Sequence, residues 1–315
     1  MRAQKTNYQN AIGTILIVND LFSGVGVLAH HCFALMKISG KETDNKGMRW
    51  IVLAALLMTP PAWSKTVKLS TDDGYAPYTG QKLSRGGMVT EIVQEVVSGM
   101  GHSMDLTWLP WRRGFEKARQ AQFDGLFPYL KTNDREKEFL FSEPLYEVRN
   151  TVFAAKGESG FYSSLESLHG KTYCLPLGWV PATPELAEMV QKKHVKVFEV
   201  LNTATCAKMV NSGRADFFVT DDAQGEAALR ETGLVEKVSL IPHLLPKTQL
   251  YFIVSRSHPN GVELVKKFNQ SLSDLKKSGT YEKIVLRHLR SEGAATGEFP
   301  RNSKKNPVKK SYSAL

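Results

Sequence analysis

In the first half of the chain, segments with the hydrophobic spacing of a strand alternate with segments that have the spacing of a helix. From Gly87 to Met100, apolar side chains recur every three or four residues, which is typical of one face of an amphipathic helix. A second, shorter helix is predicted from Arg113 to Ala121. Strand-like runs alternate with these helices, at 67–71, 104–109 and 123–130. The alternation predicts a sheet covered by helices.

The same alternation restarts in the second half. Thr183 followed by Pro184 is a typical helix start, with a capping hydroxyl and a proline in the first turn. A further helix is predicted at 204–211, and strands are predicted at 171–175, 195–200, 215–220 and 250–255. We therefore predict a first, discontinuous lobe (65–153 and 250–292) and a second lobe (154–249). Residues 293–315 have few apolar positions and are predicted to be a disordered basic tail.

Composition fits a globular protein and argues against a nucleic-acid reader. The chain has 315 residues, of which 42% are hydrophobic, and a formal net charge of +10. Residues 65–292 contain 30 Lys and Arg against 27 Asp and Glu, so the positive charge lies mostly at the two ends. A nucleic-acid-binding protein is expected to concentrate basic residues on the surface of its folded domain.

A secretion signal is predicted inside the chain, at residues 48–64. Met48-Arg49-Trp50 gives a positive start, 51–58 is a short apolar stretch, and Ala62 and Ser64 are the small residues that signal peptidase requires before its cut. Cleavage is expected after Ser64, with export to the periplasm. Residues 1–47 are interpreted as an upstream extension that is not translated, and a weak membrane anchor is the alternative.

Two cysteines remain after the predicted cut, Cys174 and Cys206. An even pair in an oxidising compartment favours a disulfide, which would join the first strand of the second lobe to a helix; two buried free thiols are the alternative. No zinc, metalloprotease or calcium-loop motif occurs, so neither a metal nor a cofactor is expected.

Four loose motifs occur in a specific order and spacing. They are the segments 72–78 (DDGYAPY), 123–125 (FDG), 132–146 (TNDR followed by FSEPLY) and 213–216 (GRAD). With them, the chain from about Lys65 to Arg290 resembles the family 3 extracellular solute-binding proteins, the polar amino-acid binders of ABC importers. The resemblance implies the α/β type II periplasmic binding protein fold, in which two α/β lobes are joined by two hinge strands.

The resemblance also implies a binding site for an amino acid, which needs a cation for the carboxylate and an anion for the ammonium. Arg135 matches the family position for the cation, and guanidinium suits a carboxylate because it forms two parallel hydrogen bonds. Asp221 is the candidate anion, since it ends a predicted strand where open α/β sheets bind ligands. Asp222 is its rival, and an N-cap role is the alternative for either aspartate.

Further ligand contacts are expected from aromatic and loop residues. Tyr75 and Trp111 match positions at which family members sandwich the ligand, with core packing as the alternative. Thr132 is expected to help hold the carboxylate. The loop at Gly178, Trp179 and Val180 precedes a helix, so its N–H groups are expected to face the carboxylate when the lobes close.

One departure from the family pattern weakens the assignment of an amino acid. Family members often carry small hydroxyl residues just ahead of the threonine and arginine, where this chain has Phe127, Pro128, Tyr129 and Leu130. Proline has no N–H to donate. The neighbouring Arg112 and Arg113 are candidates to extend the site toward an acidic ligand group, and solvated surface is the alternative.

The sequence thus predicts a monomeric, non-catalytic receptor that closes on a small solute and hands it to an ABC transporter permease. Two alternatives stay open. One is a sensory ligand-binding module for a signalling partner. The other is a periplasmic lyase of the cyclohexadienyl dehydratase type, for which no second carboxylate or histidine is placed in the cleft by spacing.

Overall fold

The computed structural model describes residues 65–296 of the chain. The predicted signal at 48–64 and the segment 1–47 lie outside the described residues, as does 297–315. The last helix continues to Thr296, so residues 293–296, predicted to begin the disordered tail, are helical instead.

Ten strands occur within residues 65–296, and most lie within two or three residues of the predicted positions. They are β1 (Thr66–Thr71), β2 (Ser103–Trp108), β3 (Gly125–Leu130), β4 (Phe139–Phe141), β5 (Tyr146–Ala155), β6 (Thr172–Pro176), β7 (Lys196–Val200), β8 (Phe217–Asp221), β9 (Val238–Ile241) and β10 (Lys247–Ser255). Three of these strands, β4, β5 and β9, were not predicted from the sequence, and β5 is the longest of the ten.

Eight α-helices cover the strands in the same range. They are α1 (Met88–Gly99), α2 (Trp111–Arg119), α3 (Asn133–Glu138), α4 (Pro184–Gln191), α5 (Thr203–Asn211), α6 (Asp222–Thr232), α7 (Gly261–Lys277) and α8 (Thr280–Thr296). Side-chain caps begin several of them: the Thr183 hydroxyl accepts from the backbone N–H of Leu186, as expected at the start of α4. None of the helices among these residues is long and apolar enough to cross a membrane.

Two strands carry the chain between the halves of the molecule. The hydrogen-bonded order is β2-β1-β3-β10-β5-β8-β6-β7, with β10 and β5 antiparallel in the middle. The first four residues of β5 pair with β10, whereas the rest pairs with β8 and β9. We name the half that contains β1, β2 and β3 the first lobe and the half that contains β6, β7 and β8 the second lobe. The residue boundaries assigned to the lobes stay a prediction.

Each lobe has its own hydrophobic core. In the first lobe, Ile92 of α1 and Phe268 of α7 are fully buried against strand residues such as Leu69 and Phe252. In the second lobe, Tyr173 stacks on Phe217 with ring centroids 5.2 Å apart. Separate cores joined by two strands allow the lobes to move as units about those strands.

The second lobe is cross-linked. Cys174 on β6 and Cys206 on α5 form a disulfide, and both residues are fully buried. Because it closes a loop across 32 residues of separation, the bond restricts the unfolded chain of this lobe.

Candidate functional site

A cleft lies between the lobes. The first lobe and β10 contribute aromatic, apolar and arginine side chains, and the loop after β6 in the second lobe contributes the rest. The lining residues are Tyr75, Trp111, Pro128, Tyr129, Leu130, Arg135, Gly178, Trp179, Val180 and Leu250. Five of the seven residues predicted to bind a ligand are therefore brought together here, and Thr132 and Asp221 do not line the cleft.

The charged residue of the cleft wall is Arg135, in the first turn of α3. The Thr132 hydroxyl caps α3 by accepting from the Arg135 backbone N–H at 3.3 Å. The Arg135 guanidinium donates from Nη1 to the Leu130 carbonyl at 2.9 Å and lies over the Tyr129 ring, 4.9 Å from its centroid. Burial lowers the pKa of the guanidinium below its usual value, but arginine stays a cation at neutral pH.

No carboxylate among residues 65–290, whose side chains the structure describes, forms an ion pair with Arg135. The cation is held in place by a backbone carbonyl and by the rings of Tyr129 and Phe115, and none of these neutralises its charge. Because a partly buried charge without a partner is costly, the arrangement is one that an anionic ligand would complete.

Aromatic rings enclose the cleft on several sides. Tyr75 packs against Trp111 of the first lobe and Trp179 of the second, with ring centroids 6.1 and 5.4 Å apart. Trp111 packs in turn on Tyr129 at 5.3 Å. All three pairs are edge-to-face, a favourable geometry for aromatic rings. The rings provide apolar surface for a ligand and exclude water from it.

Asp221 lies behind this wall at the end of β8, where it caps α6. Its Oδ1 accepts from the Gln224 backbone N–H at 3.0 Å and from the Tyr78 hydroxyl at 2.7 Å, and its Oδ2 accepts from the Tyr75 hydroxyl at 2.9 Å. The residue is only 2% exposed. The capping role considered as an alternative is therefore present, and two tyrosines of the first lobe add to it.

The electrostatics of Asp221 follow from this burial. Loss of solvent raises its pKa to about 6, although the hydrogen bonds from Gln224, Tyr78 and Tyr75 act in the opposite direction. Burial and the neighbouring carboxylate also raise the pKa of both tyrosines well above their usual value. The hydroxyls thus stay protonated donors across the lobe interface.

The loop after β6 approaches the first lobe closely at Gly178. Its φ is +82°, and a Cβ there would lie 3.0 Å from the Arg112 nitrogen and 3.1 Å from the Trp111 Cβ, so glycine is required. The Trp179 N–H donates to the Pro176 carbonyl at 3.0 Å and is not free for a ligand, contrary to expectation. The reason is that α4 begins only at Pro184, so this loop is not a helix N-terminus.

The structure differs from the sequence-based prediction of the site at several residues. Arg112 and Arg113 are exposed and do not line the cleft. Tyr78 and Tyr129 were not singled out as site residues, although Tyr78 belongs to the motif at 72–78 and Tyr129 to the noted departure. Within residues 65–296 no group of His, Cys, Asp or Glu side chains is arranged to hold a metal ion.

Two α/β lobes, two crossing strands and a cleft between them define a two-lobed binding protein. A family model for bacterial extracellular solute-binding proteins, family 3, matches residues 67–291. The chain belongs to this family, and the predicted resemblance is confirmed.

Curated relatives are named as amino-acid-binding proteins. The lysine/arginine/ornithine-binding periplasmic protein of Escherichia coli (strain K12) is 27% identical over 72% of this chain and 89% of its own. The probable amino-acid-binding protein YxeM of Bacillus subtilis (strain 168) is 25% identical over 78% and 97%. The names of these relatives describe binding proteins, not enzymes.

Solved structures show the same fold. A histidine kinase sensor domain with similarity to periplasmic binding proteins superimposes with a TM-score of 0.63 and 22% identity, covering 72% of this chain and 96% of that one. An ancestral arginine-binding protein bound to arginine gives 0.61 and 22%, covering 70% and 97%. AncCDT-1, an ancestral amino-acid-binding protein and a precursor of cyclohexadienyl dehydratase, gives 0.57 and 22%, covering 70% and 94%. The predicted type II periplasmic binding protein fold is confirmed.

Proposed function

We propose that the protein is a receptor that captures an amino acid or a similar small polar solute and delivers it to the permease of an ABC importer. The observation that carries this proposal is the Arg135 guanidinium, a cation in an aromatic cleft between two lobes that has no ion-pair partner among the described side chains. A ligand carboxylate would supply the missing charge. The names of the curated relatives support an amino-acid-like solute.

We propose that hinge closure is how the ligand-bound receptor is recognised by the permease. The crossing strands β5 and β10 join the lobes, and the second lobe contributes Gly178 and Trp179 to the ligand's surroundings. A ligand held by both lobes stabilises the closed arrangement, which a permease can distinguish from the open one. We propose that the receptor works as a monomer in the periplasm, after cleavage behind Ser64.

The binding site is proposed to hold its ligand without chemical change. No Asp, Glu, His or Lys side chain is among the residues that line the cleft, and burial raises the pKa of its two tyrosines, Tyr75 and Tyr129, so that neither is a ready base for a lyase reaction. A sensory role is the second candidate, since a sensor domain shares the fold. The transport role and the sensory role use the same cleft. They differ in the partner protein that recognises the closed form.

Binding is tested by a thermal-shift screen of the full-length protein against amino acids, small carboxylates and oligopeptides. Recovered ligands are then identified by mass spectrometry. A ligand of the folded state raises the melting temperature by mass action, and it should be recovered unchanged. Arg135→Ala should abolish the shift, while Arg113→Ala, which removes an exposed arginine outside the cleft, should keep it. A shift that survives Arg135→Ala would refute the assignment of the carboxylate site.

The partner is tested by uptake. If the receptor serves an importer, deleting its gene should abolish uptake of the identified solute, and the Arg135→Ala gene should not restore it. Uptake that is unaffected in the deletion strain, together with loss of a transcriptional response to the solute, would favour the sensory role. Intact-mass analysis of the exported protein checks whether it begins at Lys65.

A further inference from the structure

The cleft wall offers a ligand a single kind of charge. Of the ten lining residues only Arg135 is charged, and the rest are aromatic, apolar or glycine. An ammonium group that leaves water needs a carboxylate or several strong acceptors in return. The side chains of the wall supply a cation for a carboxylate and no carboxylate for an ammonium.

Two carboxylates that are hydrogen-bonded to residues of the cleft wall, Asp221 and Asp72, already accept hydrogen bonds from the protein. Both oxygens of Asp221 accept hydrogen bonds, from two tyrosine hydroxyls and a backbone N–H. Asp72 accepts from the Gly74 N–H at 2.6 Å with Oδ1 and from the Trp111 N–H at 2.9 Å with Oδ2. These bonds hold the loop after β1 and the start of α2, and neither aspartate lines the cleft.

Tyr75 separates the cleft from Asp221. It lines the cleft, while its hydroxyl donates to Asp221 Oδ2 on the far side. A ligand ammonium would have to displace this hydroxyl from a buried carboxylate, whereas a ligand carboxylate would reach Arg135 without breaking an ion pair. The two ends of an amino acid would therefore be treated very differently.

Aromatic faces do not replace the missing anion. Rings can attract a cation, but the Tyr129 ring already has the Arg135 guanidinium 4.9 Å from its centroid. A second cation in the same cleft would be repelled by the Arg135 charge at short range. The rings are therefore better placed to cover an apolar or aromatic ligand body.

We propose that the ligand is a small carboxylate with an apolar or aromatic body, and that its binding needs no α-ammonium group. The inference rests on the proposed function and narrows the ligand of the same cleft. It differs from recognition of a whole amino acid, in which the ammonium is as strongly held as the carboxylate.

Matched pairs of compounds test the proposal. Binding of L-leucine and 4-methylpentanoate, and of L-phenylalanine and 3-phenylpropanoate, is measured by calorimetry on the full-length protein near neutral pH. We expect the carboxylate that lacks the amino group to bind at least about ten-fold more tightly than its amino acid, because no ammonium has to be desolvated without a partner. Phenethylamine, which has the ammonium alone, should not bind.

The Asp221→Asn variant gives a second measurement. The ratio of the two affinities within each pair should stay the same, and this ratio does not depend on how much of the variant is folded. A selective loss of amino-acid affinity in Asp221→Asn would show that Asp221 holds the ammonium and would overturn the inference. Asp222→Asn is the control, since it changes the neighbouring carboxylate that pairs with Arg149.

The outcomes also separate this inference from the proposed function. Amino acids that bind at least about ten-fold more tightly than their counterparts would refute the inference alone and leave the receptor in place. Failure of every amino acid and every carboxylate to bind would refute both.

Discussion

The interlobe region contains a buried carboxylate, Asp221, and a partly buried cation, Arg135, which differ in what surrounds them. Asp221 accepts hydrogen bonds from three donors, two of them from the opposite lobe. Arg135 donates to one backbone carbonyl and lies on aromatic rings, without a carboxylate partner among the described residues. The protein satisfies the Asp221 charge, whereas the Arg135 charge is the one that we propose a ligand completes.

We therefore propose that Asp221 serves the structure and that Arg135 serves ligand binding. A satisfied buried carboxylate contributes to stability, since removing it leaves its donors unpaired. An unpaired cation contributes little to the free energy of unfolding. It makes a favourable contribution only when an anion binds to it. The two residues should therefore respond in opposite ways to substitution.

The largest effect is expected from Asp221→Ala. The change leaves the Tyr75 and Tyr78 hydroxyls and the Gln224 N–H without their acceptor, so we expect a loss of about 2–4 kcal/mol in the free energy of unfolding. Urea denaturation measures it. Asp222→Ala is the control: it breaks an exposed pair with Arg149 and should cost less than about 1 kcal/mol. Equal losses in the two variants would contradict the structural role of Asp221.

A smaller effect is expected from Tyr78→Phe, which removes one hydroxyl bonded to the Asp221 carboxylate. A hydrogen bond to a charged group contributes about 1.5 kcal/mol or more, and that is the expected loss in the free energy of unfolding. Tyr129→Phe is the comparison, because its hydroxyl donates to the neutral Trp111 carbonyl at 3.2 Å and should contribute about 0.5–1 kcal/mol. A larger loss in Tyr129→Phe would argue against a bridge between the lobes at Asp221.

Acid should strengthen the folded state through Asp221. Its pKa is about 6 when folded and is expected near the ordinary 3.8 when unfolded, so between these values the folded protein binds a proton that the unfolded chain releases. The contribution of this group to stability therefore falls as pH rises from about 4 to about 6, and lowering the pH from about 7 to about 5 should restore about 1 kcal/mol. The difference between wild type and Asp221→Asn, followed by denaturation across this range, isolates the effect; a difference that is independent of pH would contradict it.

Sequence patterns located the elements whose signals are local. The helix at 88–99 shows its buried face in the period of its apolar residues, and Thr183 with Pro184 marks the start of α4. The order of motifs around Tyr75, Arg135 and Asp221 was enough to place them near one interlobe region. These predictions were based on the periodicity of apolar residues, on helix-capping residues and on the order of motifs along the chain.

Features that depend on distant partners were missed. Strand β5 has no single period, because its first residues pair with β10 and its later ones lie between β8 and β9, buried on both sides. Likewise, nothing in the sequence around Asp221 shows that Tyr75 and Tyr78, more than 140 positions earlier, donate to it. Such contacts decide whether a charged side chain already has partners within the protein. The sequence does not show them, and for this reason both Arg135 and Asp221 were predicted to bind the ligand.

The smallest effect on stability is expected from Arg135→Ala, and it completes the comparison. The change removes one hydrogen bond to the Leu130 carbonyl and contacts with two rings, but it also removes the cost of burying a cation without a partner. These contributions oppose each other, so the free energy of unfolding should change by less than about 1 kcal/mol in the absence of ligand. Ligand binding should be lost in the same variant. Urea denaturation with and without the ligand measures both quantities, and a loss of stability as large as that in Asp221→Ala would mean that Arg135 is structural, with the ligand's carboxylate bound elsewhere.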